Sequence, residues 1–301
     1  MYSTHRSGPV GLILKCGVLA TLILLVVLPA YAAGPYGNCE VLFVGKKAPR
    51  SPGPAATPLC AEDKDTVFFA TGYSKRDNHG AWSAYRLEED QIAQMTENPL
   101  PRPNMKFAQN PKLSVGGYVQ PRHDSYTGTN YDRGHLAPNG AMAWDEAAQR
   151  ASFSVTNIAP QNPAMNRNIW RCFEESIREW AADSGGTNVV VGTTHSDTSI
   201  SSVRDPNHVK INVPTHYLAM VYRLKPAIAI GALVPNEGGH LDVRDFLMSV
   251  DDLESKSGFR FWLPPEVAKV RPDLTQWPTR LLKKELLGKL PSIDEQCPKA
   301  Q

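Results

Sequence analysis

The sequence predicts an α+β fold, and three features carry that prediction. Two β-rich runs, Val67–Tyr73 and Trp82–Leu87, flank the polar stretch Ser74–Gly80 and read as an antiparallel hairpin. A helix is marked from Asn162 onward, because Asn162 is a good N-cap and Pro163 suits the first helical position. Short β-rich runs then recur at Asn188–Gly192, Val209–Val213, Tyr217–Tyr222 and Ile228–Val234, joined by loops of Gly, Asp, Asn and Pro, as in a sheet meander. With 301 residues, 42% of them hydrophobic, the chain can bury one sizeable core, and no internal repeat divides it.

Residues 1–32 have the layout of an export signal peptide. Arg6 and Lys15 belong to the basic region, Cys16–Leu28 is an apolar run, and Ala30-Tyr31-Ala32 forms a small-residue cleavage site. The apolar run is short for a bilayer span of about 20 residues; an uncleaved membrane anchor is the alternative. The expected mature chain starts near Ala33, is periplasmic or secreted, and inserts in no membrane. Residues 33–62 form a Pro-rich lead-in, with four prolines between Lys46 and Pro58, and the folded unit is expected to begin after it.

Four cysteines lie beyond the signal: Cys39, Cys60, Cys172 and Cys297. An even number in an exported chain suggests two disulfides, and four cysteines allow three connectivities. Cys39 with Cys60 would close the Pro-rich segment, and Cys172 with Cys297 would tie the C-terminal tail to the central helix. Zinc is the competing reading, and no Cys-x-x-Cys or His-x-x-x-His spacing supports it. Of 32 Lys and Arg and 30 Asp and Glu, the first 32 residues hold only Arg6 and Lys15, so the remainder is balanced. Global charge therefore gives no argument for nucleic-acid binding, and any attraction to phosphate must come from local arginines or a metal.

Within the folded part, Ser83, Tyr85 and Leu87 alternate with Trp82, Ala84 and Arg86. Glu88–Met95 suits a short helix, and Pro99–Gly117 is a long loop of Pro, Asn and Gly. Asp124–Asn130 is rich in turn residues, so His135 should leave a turn with Gly134 giving the backbone room. In the helix after Asn162, Trp170, Phe173, Ile177 and Trp180 recur at intervals of three and four and form one apolar face, which Asp183-Ser184-Gly185-Gly186 ends. Val243–Ser257 should be helical, with Phe246, Val250 and Leu253 spaced for burial, and Phe259–Leu263 is a final strand. The tail, 272–301, is basic and carries no motif.

Two segments carry chemistry: Tyr131-Asp132-Arg133-Gly134-His135 and Asn166-Arg167-Asn168-Ile169-Trp170. A phosphodiester hydrolase needs a base for water, a cation for phosphate charge and a divalent metal near the leaving oxygen, and His135, Arg133 and Asn166 offer these. Asp132-Arg133-Gly134-His135-Leu136-Ala137-Pro138, then Thr156-Asn157-Ile158-Ala159-Pro160-Gln161, then Asn166, Trp170 and Glu174 keep one order and spacing. This set resembles the DNA/RNA non-specific ββα-metal endonucleases, the family of secreted bacterial nucleases and of the endonuclease G type. The resemblance implies a ββα-metal (His-Me finger) fold, a central antiparallel sheet flanked by helices, over residues 63–271. It also implies magnesium or manganese as cofactor, and DNA and RNA as partners, cut with little sequence preference to leave 5′-phosphates.

Residue by residue, His135 is the expected general base, since imidazole titrates nearest neutral pH. Asn166 is the expected magnesium ligand, one amide oxygen sufficing for an ion that keeps several waters; the alternative is a helix-entry cap. Glu174 matches the acidic partner of that site, yet eight helical residues add about 12 Å of rise, so it is expected to hold metal-bound water. Its alternative role is a surface pair with Arg178. Arg133 and Arg178 match phosphate-binding arginines, whose forked geometry suits that anion. Asp132 and Asn157 are expected to support the His135 turn. A catalytically silent nucleic-acid-binding protein and an enzyme acting on small nucleotides are the rival readings. No segment points to an inhibitor protein or an oligomeric state.

Overall fold

The computed structural model describes residues 1–3, 5, 34–182, 184–195, 201–206, 209–240, 242–280, 296 and 297. Nearly all of the expected signal peptide, and residues 281–295 of the tail, lie outside these. The chain from Ala33 onward is one compact unit.

Its strands are β1 (Thr57–Asp63), β2 (Thr66–Ser74), β3 (His79–Leu87), β4 (Asp132–His135), β5 (Ile158–Gln161), β6 (Thr187–Thr194), β7 (Ser202–Arg204), β8 (Lys210–Asn212), β9 (His216–Arg223), β10 (Ile228–Pro235) and β11 (Leu247–Met248). The α-helices are α1 (Glu89–Glu97), α2 (Pro111–Val115), α3 (Glu146–Ala151), α4 (Pro163–Met165), α5 (Arg171–Ala182), α6 (Val250–Ser257) and α7 (Pro265–Ala268). Seven strands make one sheet in the order β1-β2-β3-β6-β9-β10-β11, antiparallel throughout, while β4 pairs with β5 and β7 with β8. This is the expected antiparallel sheet flanked by helices.

Both faces of the large sheet are covered. Tyr85, Leu87, Val189, Val191 and Val221 pack with Phe173, Ile177 and Trp180 of α5 in one core. Trp82, Ala84, Val190 and Met220 face a second core with Tyr36, Phe43, Leu253 and Phe259. A strand buried on both sides needs no polar alternation, which is why all eight residues of β6 are buried. On α5, Cys172, Phe173, Ser176, Ile177, Trp180 and Ala181 form the buried stripe that the apolar spacing predicted.

Several elements differ from the expectations. Thr57–Asp63, within the lead-in 33–62, is a paired edge strand, and Cys39, Leu42 and Phe43 from the same region are buried. Val209–Val213 leaves the meander, because β8 pairs with β7 and not with the large sheet. The expected helix Val243–Ser257 starts only at Val250, where Ser249 accepts a hydrogen bond from the Asp252 N–H, while Leu247–Met248 pair with β10. Among the described residues Phe259–Leu263 makes a single bridge, Arg50 to Arg260, Trp262 has φ 63°, and Phe259 stacks on Phe261, so the run packs by its rings and not in a ladder.

The tail also folds back. Trp277 is buried against Trp180 at 4.8 Å between ring centroids, and Trp180 Nε1 donates to Pro278 O at 2.7 Å. Cys39 is disulfide-bonded to Cys60, and Cys172 to Cys297. The tail's packing predicts that Trp277→Ala lowers the unfolding free energy by about 3–5 kcal/mol, the range for a buried aromatic. Urea unfolding followed by fluorescence measures this, and a change below about 1 kcal/mol would place Trp277 outside the core.

Candidate active site

Two short strands and a helix start build the site. β4 and β5 pair antiparallel from Asp132 with Gln161 to His135 with Ile158. The chain then turns at Asn162, whose side chain accepts from the N–H groups of Ala164 and Met165 and so caps α4. One wide π-helical turn, Asn166–Trp170, links α4 to α5. Such turns displace side chains from the regular helical register and occur often at functional sites. Close packing requires glycine next to His135: a Cβ on Gly134 would lie 2.3 Å from Gln161 Oε1 and 2.7 Å from the Tyr217 hydroxyl.

The Asn166 side chain does not cap the helix entry; its backbone N–H closes α4. Its Nδ2 donates to Asp132 Oδ2 at 2.9 Å, and Arg167 grips the same carboxylate through Nε at 2.8 Å and Nη2 at 2.6 Å. Fixing the amide nitrogen leaves Asn166 Oδ1 with no donor among the described residues, available to a cation. Asn157 is fully buried and binds both sides of the chain after His135, accepting from Ala137 N and donating to Ala137 O, each at 2.9 Å. It also accepts from the Ser83 hydroxyl and donates to Ser152 O, so its four bonds pin this turn to β3.

His135 ends β4 with its ring between Phe107 and Phe153, at centroid distances of 5.1 and 5.3 Å. Its Nε2 is buried without a partner among the described residues. Burial, and then the nearby charge of Arg102, push its pKa down to about 3, so the ring is neutral at pH 7. Glu174 behaves oppositely: burial raises its carboxyl to about 7, against the pull of Arg178 and Arg102.

Arg133 donates through Nε to His123 O at 2.7 Å and through Nη2 to Thr127 Oγ1 at 3.3 Å, and lies over the Tyr126 ring. It is thereby anchored without a carboxylate partner. Arg178 forms its ion pair with Glu175, not with Glu174, and so departs from the alternative expected for that pair. Its guanidinium also packs on Gly140, where a Cβ would meet Nη1 at 2.9 Å. Arg102, in the loop after α1, stacks over Phe153 at 5.1 Å, and its charge acts on both His135 and Glu174. The sequence carried no signal for it, since it sits among prolines with no periodicity. Beside it, Lys106, Arg122 and His123 line an open cavity of about 370 Å³.

Oxygen donors, Asn166 and Glu174, suit magnesium better than zinc. Neither belongs to the cluster of His and carboxylate groups that the fold brings together elsewhere, Asp77 with His79 and His195.

Comparison with known proteins identifies the family and the fold. Residues 56–267 match the family model described as DNA/RNA non-specific endonuclease. A nuclease from a Nostoc species is 27% identical over 205 residues, covering 64% of this chain and 70% of its own length. The mitochondrial nuclease EXOG of Danio rerio is 30% identical over 215 residues, covering 67% of this chain and 61% of its own, so the match spans less than two thirds of that relative. Among solved structures, a crystal structure of an EndoG/EndoGI complex has a similar fold, with TM-score 0.54 and 17% identity, over 67% of this chain and 84% of that one.

The two buried groups make a prediction about titration in metal-free protein. His135 should stay neutral well below its ordinary value of about 6.5, and Glu174 should titrate near 7. For His135 the unfolded chain takes up the proton first, so its contribution to stability falls as pH drops from about 6.5 toward about 3. The Glu174 contribution has the other sign: it is complete below about 4.5 and is lost as pH rises through about 7. Site-resolved NMR measures both midpoints, and a His135 midpoint at or above 6.5 would contradict its burial.

Proposed function

The chain belongs to the DNA/RNA non-specific endonuclease family, which makes it a nucleic-acid phosphodiester hydrolase, and we propose that it is exported, depends on magnesium and leaves 5′-phosphates. One observation carries the proposal: Asp132 holds the amide nitrogen of Asn166, freeing its oxygen, on the same short strand that ends in a neutral His135. The Cys39–Cys60 and Cys172–Cys297 bonds support an oxidising compartment, as does the signal-like composition of residues 1–32.

In this reading the neutral ring of His135 accepts the proton of the attacking water. Asn166 Oδ1 would hold the ion, and the Glu174 carboxylate would accept hydrogen bonds from its water. When bound there, magnesium supplies neutralisation of the phosphate and of the leaving 3′ oxygen. Arg133, Arg178 and Arg102 would bind the phosphate oxygens, and Asp132 and Asn157 keep the two chemical residues in position. No base-reading element is needed for this chemistry, which supports cleavage of DNA and RNA with little sequence preference.

The test is degradation of plasmid and RNA by purified protein with magnesium, and its arrest by a chelator. His135→Ala should lower the rate by about 10² to 10⁴, as for loss of a general base, with an unchanged melting temperature; a fully active variant would sink the assignment.

Asn166→Ala should raise the magnesium or manganese concentration needed for half-maximal rate, with binding of a duplex in EDTA largely unchanged. Unaltered metal dependence would reduce Asn166 to a partner of Asp132.

A further inference from the structure

We propose that Asp77, His79 and His195 form a second metal site, separate from the nuclease centre, that binds zinc and clamps the β2–β3 turn to the end of β6. One ligand atom from each of the three residues lies within 4.8 Å of the others. His79 and Asp77 are 1% and 4% exposed. His79 Nδ1 is engaged by Gly80 O at 2.8 Å, so Nε2 is the nitrogen left over, and it is buried with no partner among the described residues. Both ring nitrogens of His195 are likewise buried and without a hydrogen bond, Nε2 lying 3.7 Å from Asp77 Oδ1, too far for one.

Two buried imidazoles presenting unused nitrogens to one carboxylate are costly without an ion, since each buried unpaired polar group costs about 1–3 kcal/mol. With an ion the same features become a supported donor set. The Nδ1–H to carbonyl bond fixes the His79 tautomer with its Nε2 lone pair free, the usual second partner of a ligating histidine. Asp77 is oriented by the Ser74 hydroxyl at 2.6 Å and by Asn212 Nδ2 at 2.8 Å. Arg76 also grips Asp77 through Nε and Nη2, both at 3.0 Å, and its side chain is 42% exposed, so it turns to solvent when the ion takes the carboxylate.

Two nitrogens and one oxygen suit zinc, with ligands about 2.0–2.2 Å from the metal. From separations of up to 4.8 Å the three donors must close by up to about 1.4 Å to reach a tetrahedron of that size, a movement asked chiefly of His195, which follows the last residue of β6. Asp77 and His195 also line a cavity of about 160 Å³, with Pro52, Gly53, Thr193 and Thr194 among its walls and room for water. No residue lining it is among the ring or hydrogen-bond partners of His135 and Asn166 described above, so the proposal does not rest on the nuclease assignment.

The test uses chelator-stripped full-length protein and zinc alone as the probe, with calorimetry for stoichiometry and cobalt substitution for ligand geometry. We expect one zinc per chain, the visible band of tetrahedral cobalt, and a higher Tm with zinc. The same uptake is expected in Asn166→Ala, which separates this site from the nuclease centre. His195→Ala and Asp77→Asn should each weaken zinc binding by at least about tenfold, with circular dichroism unchanged. Absence of zinc uptake in the wild type, or uptake that neither His195→Ala nor Asp77→Asn alters, overturns the proposal; if one variant fails to fold, the other decides.

Discussion

The hydrogen bond from Asn166 Nδ2 to Asp132 Oδ2 joins the strand pair to the helix, and the geometry of the candidate site depends on it. An amide has a donor end and an acceptor end, so holding the nitrogen settles where the oxygen points. Arg167 binds the carboxylate that does the holding, which keeps Asp132 in place. From Asp132 the strand runs only three residues to His135, about 10 Å at strand rise. The proposed base and the proposed metal ligand are thus fixed to the two ends of one rigid segment.

That segment is rigid because of what lies behind it. Asn157 makes four buried hydrogen bonds across the turn after His135, one of them to Ser83 in the large sheet. Tyr217 of β9 donates to Ala159 O of β5 at 2.9 Å, and its ring packs on Trp170. A sheet buried on both faces transmits little motion, since close-packed interiors have few alternative arrangements. The same dry surroundings keep His135 neutral and raise the Glu174 carboxyl to about 7, while Arg102 and Arg178 bring positive charge beside Glu174.

The end of the chain contributes as well. Gln296 Nε2 donates to Arg167 O at 2.9 Å and to Asn168 Oδ1 at 3.0 Å, and Cys297 beside it is bonded to Cys172. The wide turn that carries Asn166 is therefore braced from the C-terminal tail, through the Arg167 backbone carbonyl and the Asn168 side chain. Arg280 adds a second brace on α5, donating to Glu179 and to Cys297 O, each at 2.8 Å.

The set Asp132, His135, Asn157 and Asn166 was implied by the family resemblance, while the residues by themselves determined the local features: the β2–β3 hairpin, the cap at Asn162 with Pro163, and the apolar stripe of α5. These are legible because turn chemistry, capping and helical periodicity act over a few residues. Tertiary structure decided the rest. β1 was hidden in a proline-rich stretch because an edge strand tolerates prolines that a central strand would not, and the helix expected from Val243 was cut back by the pairing of Leu247–Met248 with β10. Whether Asn166 caps a helix or offers its oxygen depended on Asp132, which arrives from another strand. Arg102 near His135, and His79 near His195, are meetings of distant segments whose spacing leaves no periodic trace; only the folded sheet brings their charges and ring nitrogens within reach.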